Sequence, residues 1–96
     1  MKNLTGKIAF VTGGSRGIGA AIAKRLANEG AIVVLTYSSS PEKADEVVRE
    51  IIQAGGAATA VKANGLNADE VTGAVEATIT KYGQIDILVN NAGILG

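Results

Sequence analysis

The chain contains no cysteine and no histidine among its 96 residues. The first absence excludes disulfides and thiolate chemistry and suits a reducing compartment. The second removes imidazole acid–base catalysis and histidine metal ligands. Aromatic residues are scarce: two Tyr, one Phe and no Trp, too few for a platform on which bases could stack. Neither sign of charge dominates, because nine Lys and Arg stand against nine Asp and Glu. Without a basic patch, nucleic acid is not an expected partner. Long apolar runs are missing as well. A stretch such as 31–35 (AIVVL) falls far short of the roughly 18 residues that suggest a membrane helix. Residues 1–7 lack the apolar region of a signal peptide. The expectation is a soluble, cytoplasmic protein with no membrane partner.

What the chain does have is apolar material and glycine: 47% hydrophobic residues and 13 glycines. That is enough for a core, so the chain is not disordered, and its length suits one domain. The glycines gather in Thr12-Gly13-Gly14-Ser15-Arg16-Gly17-Ile18-Gly19. An apolar run, 7–12, precedes this stretch, and a helical pattern with Ile18, Ile22 and Leu26, predicted over 15–28, follows it. Strand, glycine loop and helix together present bare backbone N–H groups and a positive dipole end to an anion. The ligand read from this stretch is phosphate-bearing, a dinucleotide. Gly13 turns the chain off the strand, Gly17 lets a diphosphate reach the backbone, and Gly19 lets the helix pack close to the sheet.

The remaining chain alternates in the same way. Strands are predicted at 31–37, 57–62 and 85–89, the first two strands being continuously apolar as in a sheet covered on both faces. The alanine-rich strand 57–62 reads as an edge. A second helix runs to about 54, with Ser39 and Glu42 as a capping box and Ala44, Val47, Val48, Ile51 and Ile52 as its core stripe. Asn64-Gly65-Leu66 reads as a turn. Asn67 and Glu70 form a second capping box, opening a third helix whose inward side is Val71, Val75, Ile79 and Tyr82. Gly30, Gly55-Gly56 and Gly83 stop the three helices. The expected fold class is α/β, βαβαβαβ, a parallel sheet flanked by helices with right-handed crossovers. Asn90-Asn91-Ala92-Gly93 follows the fourth strand; its two amides can fix backbone groups where the strand leaves the sheet, and Ala and Gly leave room for a flat ring.

Thr12-Gly13-x-x-x-Gly17-x-Gly19 and Asn90-Asn91-Ala92-Gly93 together resemble the cofactor motif and the NNAG motif of the short-chain dehydrogenases/reductases. The flanking runs 4–13 and 82–90 fit as well, so the resemblance covers the chain. Its nearest flavour is that of 3-oxoacyl-carrier-protein reductases and glucose dehydrogenases. The resemblance implies a truncated NAD(P)-binding Rossmann half-domain, 1–96, with strand order 3-2-1-4. It also implies cofactor contacts at Gly13, Ser15, Arg16, Gly17, Ile18, Gly19, Tyr37, Ser38, Asn64, Gly65, Asn90, Ala92 and Gly93. Tyr37 stands where NAD-preferring members carry an Asp, and Arg16 occupies the basic position of NADP-preferring members, with Ser38 able to add a hydrogen bond. NADP(H) is therefore the preferred cofactor, with NAD(H) possible. Asn64 departs from the usual Asp beside the adenine, though its amide oxygen can still accept a hydrogen bond.

In the family, a Ser and a Tyr-x-x-x-Lys follow the NNAG motif and carry hydride-transfer chemistry between carbonyl and alcohol. Neither Tyr82 nor Tyr37 fits that pattern, so no catalytic residue and no metal site is assigned, and the chain alone is expected to be inactive. The far edge of strand four would then lack a partner. It is expected to pair with a second copy across a two-fold axis, or with a separate C-terminal half. The alternative reading is a structural half-domain that oligomerises without binding cofactor.

Overall fold

The computed structural model describes residues 3–13 and 17–91. Its elements run β1 (Ile8–Thr12), α1 (Gly17–Asn28), β2 (Ile32–Tyr37), α2 (Pro41–Gln53), β3 (Ala57–Lys62), α3 (Ala68–Tyr82) and β4 (Ile87–Asn90). All three strand pairs are parallel, and the sheet order is β3-β2-β1-β4, as expected. β1 is buried throughout and β2 nearly so, which is why both read as unbroken apolar runs rather than alternating ones. No described helix is long and apolar enough to cross a membrane.

The pleat sorts the strand side chains into two cores. Ala9, Val11, Val33 and Leu35 face α1 and α2, where Ala20, Ala23, Ala27, Ala44, Val47 and Ile51 meet them. Phe10 and Val34 face the other way, onto Ala74 of α3 and Ala63.

The helix faces match the sequence expectation for most of α2, where Ala44, Val47 and Ile51 are buried, and differ from it on α1 and α3. On α1 the buried residues are Gly19, Ala20, Ala23 and Ala27, while Ile18 is 58% exposed and Ile22 and Leu26 only border the core. On α2, Ile52 of the expected stripe is 55% exposed. On α3 the buried pair is Ala74 and Thr78, and Ile79 is 44% exposed. On α1 and α3 the helix approaches the sheet, already filled by branched and aromatic side chains, through small residues, so its larger ones are pushed to the flanks.

The helix ends also depart in part from the expectation. Residue Ser40, not Ser39, caps α2, and it makes no side-chain cap hydrogen bond. Pro41 at the helix start takes one orphan N–H out of the count instead. Asn67 does cap α3, accepting from Asp69 N and Glu70 N at 3.0 and 3.2 Å. Glu70 does not return the bond to Asn67; its carboxylate accepts from Asn64 N at 2.9 Å and ties the preceding turn to the helix. Strand four begins two residues later than the pattern suggests and includes Asn90.

Glycine ends α1 as expected. Gly30 has φ +103°, its N–H donates to Ala27 O at 3.0 Å, and Ala31 N donates to Leu26 O at 3.1 Å. This pair of bonds satisfies the last carbonyls of the helix and returns the chain directly into β2.

Candidate functional site

In a sheet of order β3-β2-β1-β4, the chain winds away from β1 in both directions. The crevice opens at the carboxyl ends of β1 and β4, between which the winding reverses. Four structural features meet there: the end of β1, the start of α1, the end of β4 and the end of β2.

Gly13 is the pivot. Its φ of +67° lies in the left-handed region that glycine adopts without a steric penalty, and it takes the chain out of the sheet. Its N–H donates to Thr36 Oγ1 at 3.0 Å, and its carbonyl accepts from Asn91 Nδ2 at 3.2 Å. Thr12, buried at the last position of β1, sits opposite Asn90 in the ladder. Its hydroxyl accepts from Asn91 N at 2.9 Å and donates toward Asn90 Oδ1 at 3.2 Å. The ends of three strands are thus joined by side chains just where their backbone ladder runs out.

The helix follows at once. Gly17 opens α1 with φ +60°, and a Cβ there would meet no atom within 4 Å. Among the described residues, the space where that Cβ would sit is therefore open. The first turn of α1 carries no acidic residue, so nothing there opposes an anion at the positive end of the helix dipole. Gly19 closes the geometry from below. A Cβ on Gly19 would overlap Gly13 O and Asn91 Nδ2, so α1 rests directly on the Gly13 carbonyl. These observations fit the diphosphate of a dinucleotide: an exposed helix start at Gly17 and Ile18, open space at the Gly17 Cβ position, and no carboxylate in the first turn.

The other residues singled out in the sequence lie around this point. Ile18 is exposed beside the cradle. Tyr37 ends β2 next to Thr36; its ring borders the α1/α2 core, and its carbonyl accepts from Ala63 N at 2.9 Å. Ser38 is exposed just beyond it. Asn64 and Gly65 follow β3 at the same end of the sheet. Asn64 Oδ1 accepts from Leu66 N at 2.9 Å, which fixes the turn and leaves that oxygen one further lone pair. Ser15, Arg16, Ala92 and Gly93 lie outside the described residues.

Sequence reasoning gave no role to Thr36 and placed Asn91 only within a motif. The available signal was faint. Each threonine, at 12 and at 36, stands at or next to the carboxyl end of an otherwise apolar or aromatic strand, where a β-branched residue is expected for its shape alone.

Comparison with known proteins gives the family and the fold. A family model described as short chain dehydrogenase matches residues 7–96. The chain is 54% identical over 94 residues to a 3-oxoacyl-[acyl-carrier-protein] reductase of Synechocystis sp., covering 98% of this chain and 38% of that protein. It is 53% identical over 94 residues to an uncharacterized oxidoreductase of Methylorubrum extorquens, with the same two coverages. Among solved structures it is similar to a short chain dehydrogenase from Burkholderia cenocepacia in complex with NADP. There the TM-score is 0.89 and the identity 53%, over 97% of this chain and 38% of that one. The chain thus spans well under half the length of the relatives it matches.

Proposed function

The chain belongs to the short-chain dehydrogenase family, and we propose that it is the NADP(H)-binding N-terminal half of an oxidoreductase that interconverts a carbonyl and an alcohol. The observation that carries the proposal is the unobstructed start of α1 at Gly17, set at the carboxyl ends of β1 and β4. The similar Burkholderia protein, solved with NADP, supports the choice of ligand.

In this reading the bound cofactor supplies the hydride. The chain's own residues bind and orient it. The N–H groups opening α1 take the diphosphate, Gly17 keeps the approach clear, and Gly13, held from both sides, aims the helix. Arg16 and Ser38 take the adenosine 2′-phosphate, the first through its planar fork. Tyr37 carries no charge to repel that phosphate, as the carboxylate of an NAD-preferring member would. Contacts to the adenosine are assigned to Asn64, Gly65, Ala92 and Gly93. Proton transfer is assigned to none of these groups.

Titration of the 96-residue chain with NADPH, followed by nicotinamide fluorescence, tests the proposal. Saturable binding, tighter for NADPH than for NADH, is expected. No saturation up to millimolar NADPH overturns it.

A second reading has its own observation. Among the described residues β4 is a short edge strand, with Leu88 62% exposed, which favours a half-domain whose principal property is self-association. That reading gains if light scattering shows a dimer while the NADPH titration stays flat.

A further inference from the structure

We propose that Thr36 is a positioning residue for the cofactor, acting through the Gly13 peptide; this rests on the dinucleotide reading above. The registered pairing between β1 and β2 ends at Val11 and Leu35. Gly13 therefore lies past the last ladder pair, and its N–H needs another acceptor. The Thr36 hydroxyl supplies it at 3.0 Å, from a side chain with 0% exposure. On the opposite side, Asn91 Nδ2 holds the Gly13 carbonyl. Gly13 is thus clamped by one side chain from β2 and one from the end of β4.

The clamp matters because the next element rests on it. Gly19, in the first turn of α1, lies so close to the Gly13 carbonyl that no Cβ fits between them. The path of force is Thr36 to Gly13 to α1, and the N–H groups at the start of α1 are those that meet the anion. Thr36 itself is buried and reaches no ligand. Its effect is to fix the direction in which the chain leaves β1. A valine has the same shape but no acceptor, so it leaves the Gly13 N–H without its partner while filling the same space.

The test compares Thr36→Val and Thr36→Ser in the full 96-residue chain by amide hydrogen exchange and by NADPH titration. With Thr36→Val, exchange at the Gly13 amide is expected to rise and NADPH Kd to weaken, each by about tenfold, as for the loss of one hydrogen bond. Thr36→Ser, which keeps the hydroxyl, is expected to restore both toward wild type. Thr59→Val, a threonine opposite Val34 on β3, is the control for general loosening and is expected to leave Gly13 exchange unchanged. Gly13 exchange in Thr36→Val equal to wild type overturns the inference, as does faster exchange with unchanged Kd. A wild-type chain that takes up no NADPH removes the functional reading and the ligand of this inference together. Intact wild-type binding with an indifferent Thr36→Val removes this inference alone.

Discussion

Asp86 and Ile8 bind each other at both ends of one peptide step. The Asp86 carboxylate accepts from Ile8 N at 2.8 Å, and Asp86 N donates to Ile8 O at 2.8 Å. Gln84 Nε2 donates to both carboxylate oxygens, at 2.9 and 3.1 Å, and so orients the group. This arrangement starts the β1–β4 pairing one residue before the ladder itself, which opens at Ala9 and Ile87. The seam matters to the candidate site because its other end is the Thr12–Asn91 contact.

Removing the carboxylate leaves the N–H of a buried strand residue without an acceptor. Asp86→Ala is therefore expected to cost about 1–3 kcal/mol of folding stability. Asp86→Asn retains an acceptor oxygen and is expected to lose less. Urea denaturation followed by circular dichroism measures both. Equal midpoints for Asp86→Ala and the parent chain would show that the contact contributes nothing.

Gly19 offers a sharper test of the site. An alanine here forces α1 away from Gly13 O and Asn91 Nδ2. The overlap involves backbone, which cannot swing aside as a flexible side chain can. Gly19→Ala is expected to destabilise the fold by about 1–3 kcal/mol and to abolish measurable NADPH uptake. The comparison that makes this specific is Gly55→Ala. Gly55 also has a positive φ, +92°, with open space around it, but it lies at the end of α2, away from the glycine loop. It is expected to lower stability through backbone strain while leaving NADPH Kd at the parent value. A Gly19→Ala protein that binds NADPH like the parent refutes the close-packing role.

These residues also show what could be read from sequence and what could not. Gly13 and Gly17 announce themselves because positive φ excludes almost every other residue, and Gly19 because a close approach does. The strand order is legible through the family resemblance, which two motifs at the carboxyl ends of neighbouring parallel strands, β1 and β4, carry. The helix faces were harder. Ile18, Ile52 and Ile79 look like core by hydropathy, yet the sheet had already filled the volume with Phe10, Val11, Val33 and Leu35. Which stripe turns inward was then decided by how close the backbones could come, and alanine won on α1. The hydrogen-bond partners of the site were hidden for another reason. A threonine in a strand carries the same local signal whether or not its hydroxyl is used, and only the register of β1 against β2 brings Thr36 to Gly13.

Gly73 gives a prediction with the opposite sign. It lies within α3 and has nothing within 4 Å of where a Cβ would sit, and its φ is not in the left-handed region. Glycine there only adds freedom to the unfolded chain. Gly73→Ala is expected to stabilise by about 0.5–1 kcal/mol, which for a chain of this size raises Tm by about 2–8 °C. Differential scanning calorimetry reads the shift. A lower Tm would overturn the prediction.

The last prediction concerns the edge of the sheet. β4 hydrogen-bonds to β1 on one side and, among the described residues, to no strand on the other. Leu88 lies on the same sheet face as Phe10, its ladder partner, but α3 covers Phe10 and leaves Leu88 exposed. An edge with free N–H and C=O groups beside an apolar side chain pairs readily with another strand. We propose that two copies meet there, β4 to β4, across a two-fold axis that satisfies both edges at once. Light scattering at tens of micromolar is expected to give a dimer mass. Leu88→Lys places a like charge on each side of that axis, so the two copies repel each other there, and the mass is expected to fall to that of the monomer at the same concentration. The cradle at Gly17 is unaffected by this change, so NADPH Kd is expected to stay at the parent value. A monomeric parent chain sinks the pairing, and a Leu88→Lys protein that remains dimeric moves the contact to another face.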